Sequence, residues 1–378
     1  MKTLTRISIA LSVILMLALA KVVWVQSAFR TDERTAELQR RAYLIEHVVT
    51  SPSRLVKSMP SGIGSQFQGE WALYSVSMLT KALANISRSC PDTKENTQRH
   101  IDHMIEMVLS STMREYDRVR WDEDPLESLE GDSSHVSYLS HLAWMIGNYK
   151  SIGGGEQYDS LYHAVCGAMN RRIQRSPSLN LPTYPDECIY VPDMLVAIVA
   201  LHQYAQFYNG KYDATVTKWM RRAKSEWIDK ETGLLVSFLQ PKSGEPMKEI
   251  KGSYSALNCY YLTLIDPEFA AEQYERLKAT FWQRSPIAGI REYRGQSNIC
   301  GLDIDSGPIL FRLSPSGTAF AVGCATYYND VPVRNNLLHT AELAGSTRTW
   351  NGKSHYLLAD IAPVGEAIML AMRTHHPN

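Results

Sequence analysis

The stretch WALYSVSMLTKALANI, residues 71–86, is apolar around nearly its whole circumference, and five further runs of the same kind follow it. They are YLSHLAWMIGNY (138–149), VPDMLVAIVALHQYAQFY (191–208), YSALNCYYLTLI (254–265), PILFRLSPSGTAFAVGCATYY (308–328) and VGEAIMLAMRTH (364–375). Their starts lie about 50–70 residues apart, a period that marks stacked supersecondary units. A helix apolar on every side has to be enclosed. Around these runs lie six segments richer in charge, at 37–49, 96–117, 157–175, 213–229, 267–284 and 334–343. Apolar residues recur there at three- and four-residue spacing, which gives each segment one buried face. Six enclosed helices alternating with six half-exposed ones predict an all-α (α/α)6 barrel. Such a barrel opens as a funnel at one end, where loops converge. A turn at Asp229–Gly233, a short strand at 235–239 and a second turn at 242–245 predict one small β-hairpin.

No Pro/Gly/Ser-rich linker interrupts the repeat, so residues 29–378 read as a single barrel domain. Net charge is zero and the pI about 7.2, which argues against a nucleic-acid partner. The first 28 residues stand apart. Lys2 and Arg6 precede an apolar run at 7–20, and Ala18-Leu19-Ala20 fits a small-x-small cleavage site. Val22–Val25 extends the run to the length of a signal anchor, so a cleaved signal peptide and a membrane-spanning segment are both open. In either case the positive end stays cytoplasmic and the rest is expected outside the inner membrane, anchored or periplasmic. Of six cysteines, Cys166, Cys259 and Cys324 fall inside helical runs, while Cys90, Cys188 and Cys300 fall in loops. They show no CxxC or Cys/His spacing, so no metal is indicated. No P-loop, GxSxG, HExxH or dinucleotide glycine fingerprint occurs, and no cofactor is expected.

The polar chemistry concentrates in the loops that enter the enclosed helices. The first loop ends in Glu70 and Trp71; the second runs from Trp121 and Asp122 through Asp132 and His135. The third carries Tyr184, Asp186, Glu187 and Cys188, with Asp193 at the helix start. Lys251 leads to Tyr254 in the fourth, Asp303 and Asp305 lie in the fifth, and Asp360 and Glu366 in the sixth. Capping alone would account for acids at helix starts. Gathered in one apolar funnel, however, they would push one another's pKa values apart and supply a general acid and a general base. On this reading His141, Tyr254, Asp186, Glu187, Asp122 and Asp305 are the catalytic candidates. Glu70, Trp71, Trp121, Tyr138, Tyr184, Asp193 and Asp303 are the substrate-binding ones. Asp186 and Glu187 repel a neighbouring thiolate, so Cys188 is not expected to be a nucleophile.

The series WDEDP (121–125), SHLAWMIGNYKSIGG (140–154), YPDECIYVPDM (184–194), IDKETGLLVSFLQPKSGEP (228–246), KGSYSALNCYYL (251–262), DPEFAAEQYERLKATF (266–281) and DIDSG (303–307) resembles the bacterial linalool dehydratase/isomerase family. The resemblance implies an (α/α)6 barrel, export, and cofactor-free acid/base chemistry on a small apolar alcohol. It also implies an active-site histidine at His141 and a tyrosine at Tyr254. At the family's cysteine positions this chain has Thr183 and Pro192, with Cys188 between them.

The expected activity is therefore a carbon–oxygen lyase or isomerase of that kind. The alternatives are a glycoside hydrolase or related carbohydrate enzyme, by analogy of fold, and an exported ligand-binding protein without turnover. The partner is a small molecule or a glycan, and the membrane is engaged through the N-terminal segment only.

Overall fold

The computed structural model describes residues 2–29, 32–295 and 299–377. Helix α1 (Lys2–Ala28) precedes the barrel. Then come the outer helix α2 (Glu33–Val48), a short α3 (Pro52–Lys57) and the inner helix α4 (Ser65–Ser89). The outer α5 (Lys94–Leu109) is extended by α6 (Ser111–Trp121) and followed by the inner α7 (Val136–Ser151). Three more outer–inner pairs follow: α8 (Asp159–Arg175) with α9 (Val191–Phe207), α10 (Asp213–Glu226) with α11 (Gly252–Leu262), and α12 (Pro267–Phe281) with α13 (Pro315–Tyr327). The outer α14 (Val331–Gly345) and inner α15 (Val364–Arg373) complete the set. The inner helices form a closed ring, each packed on the next from α4 through α7, α9, α11 and α13 to α15, which returns to α4. The expected (α/α)6 barrel is what forms.

Burial follows the pattern read from the residues. Every residue of α11 is buried, whereas α5 buries Thr97, Ile101, Met104, Ile105, Met107 and Val108 on one face. A fully buried Leu or Ile contributes about 1.5–3 kcal/mol relative to exposure, so the inner ring carries much of the stability. The segment expected as one helix over 96–117 is two. Ser110 breaks it, donating from its hydroxyl to the Met107 carbonyl at 2.6 Å and accepting from the Met113 amide as the cap of α6.

Short connections join inner helices to the next outer ones: Asp330 caps α14 directly after α13, and Asp266 caps α12 soon after α11. Connections at the other end are long, at 122–135, 176–190, 227–251, 282–314 and 346–363. That end is the funnel mouth. The expected hairpin forms around the turn at 242–245, where Leu239 bridges Pro246 and the Gln240 and Met247 amides donate to the Glu245 and Phe238 carbonyls at 2.9 and 3.0 Å; in addition β1 (Ile189–Tyr190) pairs with β2 (Phe238–Leu239) from a separate loop. Two mouth loops are thereby tied together across α9. Three hairpins lie in the other connections: β3 (Trp282–Gln283) with β4 (Gly289–Ile290), β5 (Cys300–Asp303) with β6 (Gly307–Leu310), and β7 (Thr347–Trp350) with β8 (Lys353–Tyr356).

Candidate active site

Side chains at the starts of α4, α9 and α11 meet residues of the rim loops in one acidic cluster. Arg120, at the end of α6, donates to Glu70 at 3.0 Å, and its guanidinium lies 3.8 Å from the centre of the Tyr184 ring. The Tyr184 hydroxyl donates to the same Glu70 oxygen at 3.1 Å, and Ser137 donates to the other at 3.2 Å. Burial opposes the charge on Arg120, but the Glu70 carboxylate outweighs it and raises the pKa. This pair is therefore a fixed ion pair roofed by an aromatic ring.

Asp193, in the first turn of α9, accepts a hydrogen bond from Thr183 and is half-buried. Burial raises its pKa to about 7, with Glu70 and Asp305 adding to the rise against Thr183 and Arg120. A carboxyl in this state holds its proton up to near neutrality and can give it away. Across the mouth, the β5–β6 hairpin brings Asp303 and Asp305 over the funnel. Lys251 donates to Asp303 at 2.8 Å and to Asp305 at 3.3 Å, and Tyr293 donates to Asp303 at 3.0 Å. Asp303 also accepts the backbone amides of Asp305 and Ser306, and these contacts lower its pKa against the effect of burial. Burial raises the pKa of Asp305, while Lys251 and the Tyr254 hydroxyl hold the rise back. Tyr254 itself stays a phenol, its pKa raised by burial and then by Asp305. Its ring packs edge-on to Phe238 and Tyr190, at 5.3 and 6.0 Å between centres.

Below the acids lies an aromatic floor. The Tyr74 and Tyr261 hydroxyls are 3.3 Å apart, and the Tyr74 ring is 4.6 Å from that of His141. His141 is buried, its Nδ1 is 2.7 Å from the Ser77 hydroxyl, and burial lowers its pKa to about 3. Burial thus favours its neutral form, in which one ring nitrogen keeps its N–H.

Of the expected site residues, Glu70, Tyr184, Asp193, Tyr254, Asp303 and Asp305 are brought together. Asp186 and Glu187 are exposed on the rim, where Glu187 accepts from Tyr190 at 3.4 Å. Four others are placed elsewhere. Tyr138 is fully buried and donates to the Val108 carbonyl, pointing away from the axis toward α5. Trp71 packs against the core from a half-buried position on α4. Asp122 is an exposed left-handed cap at the end of α6, beyond the acidic cluster. Trp121 lies against His135, whose Nδ1 is 2.5 Å from Asp117 in a fully buried pair beneath the loop. Arg120, Thr183 and Lys251 enter the site without having been singled out as candidates.

Glu292 also escaped sequence reading. It is fully buried under the start of α11, accepts the amide and hydroxyl of Ser253 at 3.1 and 2.8 Å, and burial raises its pKa to about 7. Among the described residues no cluster of His, Cys, Asp or Glu has the arrangement of a metal site. All six cysteines are free. Burial, and then Glu187, raises the pKa of the Cys188 thiol. A separate cavity of about 640 Å³ lies between α1, α2, α14 and the β7–β8 hairpin, lined by Arg40, Glu342, Tyr356 and Arg373, outside the funnel.

No family model matches the chain. Among the solved structures that share its fold are two hydrolases. One is a glycoside hydrolase of family 105 from C. acetobutylicum ATCC 824, at 10% identity over 80% of this chain and 92% of that one, with a TM-score of 0.50. The other is an unsaturated glucuronyl hydrolase specific for heparin, at 9% identity over 93% and 96%, with a TM-score of 0.56. Identity this low establishes the toroid and nothing finer. It nonetheless corrects the expected membership of the linalool dehydratase/isomerase family, and with it the lyase and isomerase chemistry. The barrels that match belong to sugar hydrolases. The histidine that the resemblance made catalytic is a buried neutral ring.

Proposed function

We propose that the funnel is the active site of a glycoside hydrolase. The observation that carries this reading is Asp193, a carboxyl kept protonated to about pH 7 beside Glu70 and Asp305 at the mouth of a toroid. Asp193 gives its proton to the glycosidic oxygen as the bond to the anomeric carbon breaks. Asp305, held by Lys251 and the Tyr254 hydroxyl, takes a proton from the attacking water. Tyr184 and Tyr190, both half-buried, supply rings against which a sugar can pack. Glu70, locked by Arg120, Tyr184 and Ser137, binds sugar hydroxyls.

The mouth favours an uncharged sugar. Arg120 is taken up by Glu70 and Lys251 is shared by Asp303 and Asp305, so with Asp186 and Glu187 on the rim the mouth keeps net negative charge even while Asp193 holds its proton. One of the matching hydrolases is specific for the polyanion heparin, which these acids would repel. Hydrolysis of a panel of neutral and uronate aryl glycosides tests the reading. Neutral substrates should be cleaved, and Asp193→Asn and Asp305→Asn should each lower kcat by about 100-fold or more. Undiminished turnover in either folded variant removes that residue from the mechanism. No cleavage of any glycoside removes the hydrolase reading.

A further inference from the structure

α1 does not lie across the barrel; it leaves from the mouth. Phe29 stacks on His339 of α14 at 4.1 Å, Trp24 donates from its indole to the Thr347 carbonyl at 3.2 Å, and Lys21 donates to the Glu342 carbonyl and the Ser346 hydroxyl. Read from residue 29 back to residue 21, the helix thus climbs α14 toward its C-terminal end. The 346–363 connection joins that end to the start of the inner helix α15, so it belongs to the mouth. Residues 2–20 then extend beyond the rim for about 27 Å at 1.5 Å per residue. The window Ser8–Val25 is long and apolar enough to cross a membrane; since Lys21, Trp24 and Val25 pack on the body, residues 2–20 are the part that reaches into a hydrocarbon layer about 30 Å thick.

The same rim carries unpartnered apolar side chains. Asp303 and Asp305 turn over the funnel, and the residues between and before them face out: Leu302 is 84% exposed, with Ile304 beside it. Trp350, in the β7–β8 hairpin, is 69% exposed, and Ile361, just before α15, is 65% exposed beside Leu358. Exposed apolar groups recurring in the connections of one rim call for a partner. Trp24 and Lys21, at the point where α1 leaves the body, are the residue types that settle at a membrane interface.

We propose that the funnel mouth is a bilayer-facing surface: α1 spans the membrane, and the hairpin tips and the turn before α15 sit in the interfacial layer, with the acidic cluster opening onto lipid headgroups. A funnel held there takes the sugar headgroup of a membrane-embedded amphiphile. That second part rests on the glycoside hydrolase reading, whereas the orientation does not.

The orientation is tested on the full chain reconstituted in phosphatidylcholine vesicles. In a Cys188→Ser/Cys300→Ser background, an environment-sensitive fluorophore is attached at Leu302→Cys or Ile361→Cys on the rim, and at Gln206→Cys near the far end of α9. Retained helical circular dichroism qualifies each variant. The rim probes should emit at shorter wavelength and be quenched by spin-labelled lipid several-fold more than the Gln206→Cys probe. Equal quenching of all three by aqueous iodide overturns the proposal. So does a mature chain, isolated from its own cells, that begins after Ala20. Substrate presentation is read separately, by hydrolysis of one neutral sugar as a soluble aryl glycoside and as an alkyl glycoside in the vesicles. Faster turnover in the vesicles is expected. Turnover of the soluble form alone overturns the amphiphile while leaving the hydrolase reading intact.

Discussion

Asp193 couples chemistry to stability through one proton. Its folded pKa, raised by burial to about 7 from 3.8, lies above the unfolded value. The stabilisation is therefore complete below about pH 4 and is lost as pH rises toward 7, because the folded state must then bury a charge. Asp193→Asn should raise unfolding stability at pH 8 by about 1–2 kcal/mol, and by less at pH 5. That estimate is below the full shift because the carboxyl keeps some contact with solvent. Chemical denaturation at the two pH values measures it, and an equal effect at both would place the pKa near its ordinary value. Activity should fall as pH rises through about 7, where the acid loses its proton. Cys188, by contrast, has a thiol pushed up by burial and by Glu187, so Cys188→Ser and thiol alkylation should leave turnover within about two-fold of the parent. At this scale the sequence was a partial guide. Acids at helix starts announce themselves, because a carboxylate before an apolar run has few other places to point. His141 is less plainly written: a polar residue on an enclosed helix reads as chemistry, and only the fold shows Ser77 at its Nδ1 and the Tyr74 ring against it in the floor.

Elements differ in how plainly they are written. Enclosed helices are legible because apolar residues on every side admit few alternatives; five appear where their runs are, while the run at 308–328 begins in strand β6 and turns helical only at Pro315, where Ser314 caps α13. Apart from the one at 238–247, the hairpins are not legible, since strands of two to four residues are too short to carry a period. For the same reason Glu292 gave no signal: it lies in a polar connection, and only the fold puts it under α11. The junction there is tight. The Gly252 amide donates to the Glu292 carbonyl at 2.8 Å, and a Cβ on Gly252 would lie 1.9 Å from the Arg291 carbonyl oxygen. Backbone cannot yield as a side-chain tip can, so Gly252→Ala must push the 291–292 segment off the start of α11. Ser253 then loses its carboxylate partner, and Lys251 and Tyr254 shift beneath Asp305. The expected cost is about 2–4 kcal/mol, with turnover falling in protein that still folds. A midpoint of urea unfolding unchanged from the parent would show that the junction has slack.

A toroid has to be closed, and here the closing contact is buried charge. Arg40 of α2 pairs with Glu366 at the start of α15, both side chains almost wholly enclosed. Arg40 also donates to Thr347 at 2.7 Å and lies 4.0 Å over the Tyr356 ring, while Glu366 accepts the Tyr356 amide at 2.8 Å. The first outer helix, the β7–β8 hairpin and the last inner helix thus meet on a single ion pair. Read from sequence, Glu366 is an ordinary first-turn acid; its partner lies 326 residues away, and no local pattern can reveal it. Desolvation makes such a pair poor evidence of net stabilisation, but removing one member strands the other. Arg40→Ala should therefore cost about 3–5 kcal/mol, more than a surface arginine, for which the loss is about 0–1 kcal/mol. Arg40→Met combined with Glu366→Leu should recover most of that loss, because neither charge then stays buried. Thermal unfolding of the single and double variants decides between the two origins of the cost. If the double variant is as unstable as Arg40→Ala alone, the ring is held by the hydrogen bonds to Thr347 and Tyr356, and the penalty does not come from an uncompensated charge.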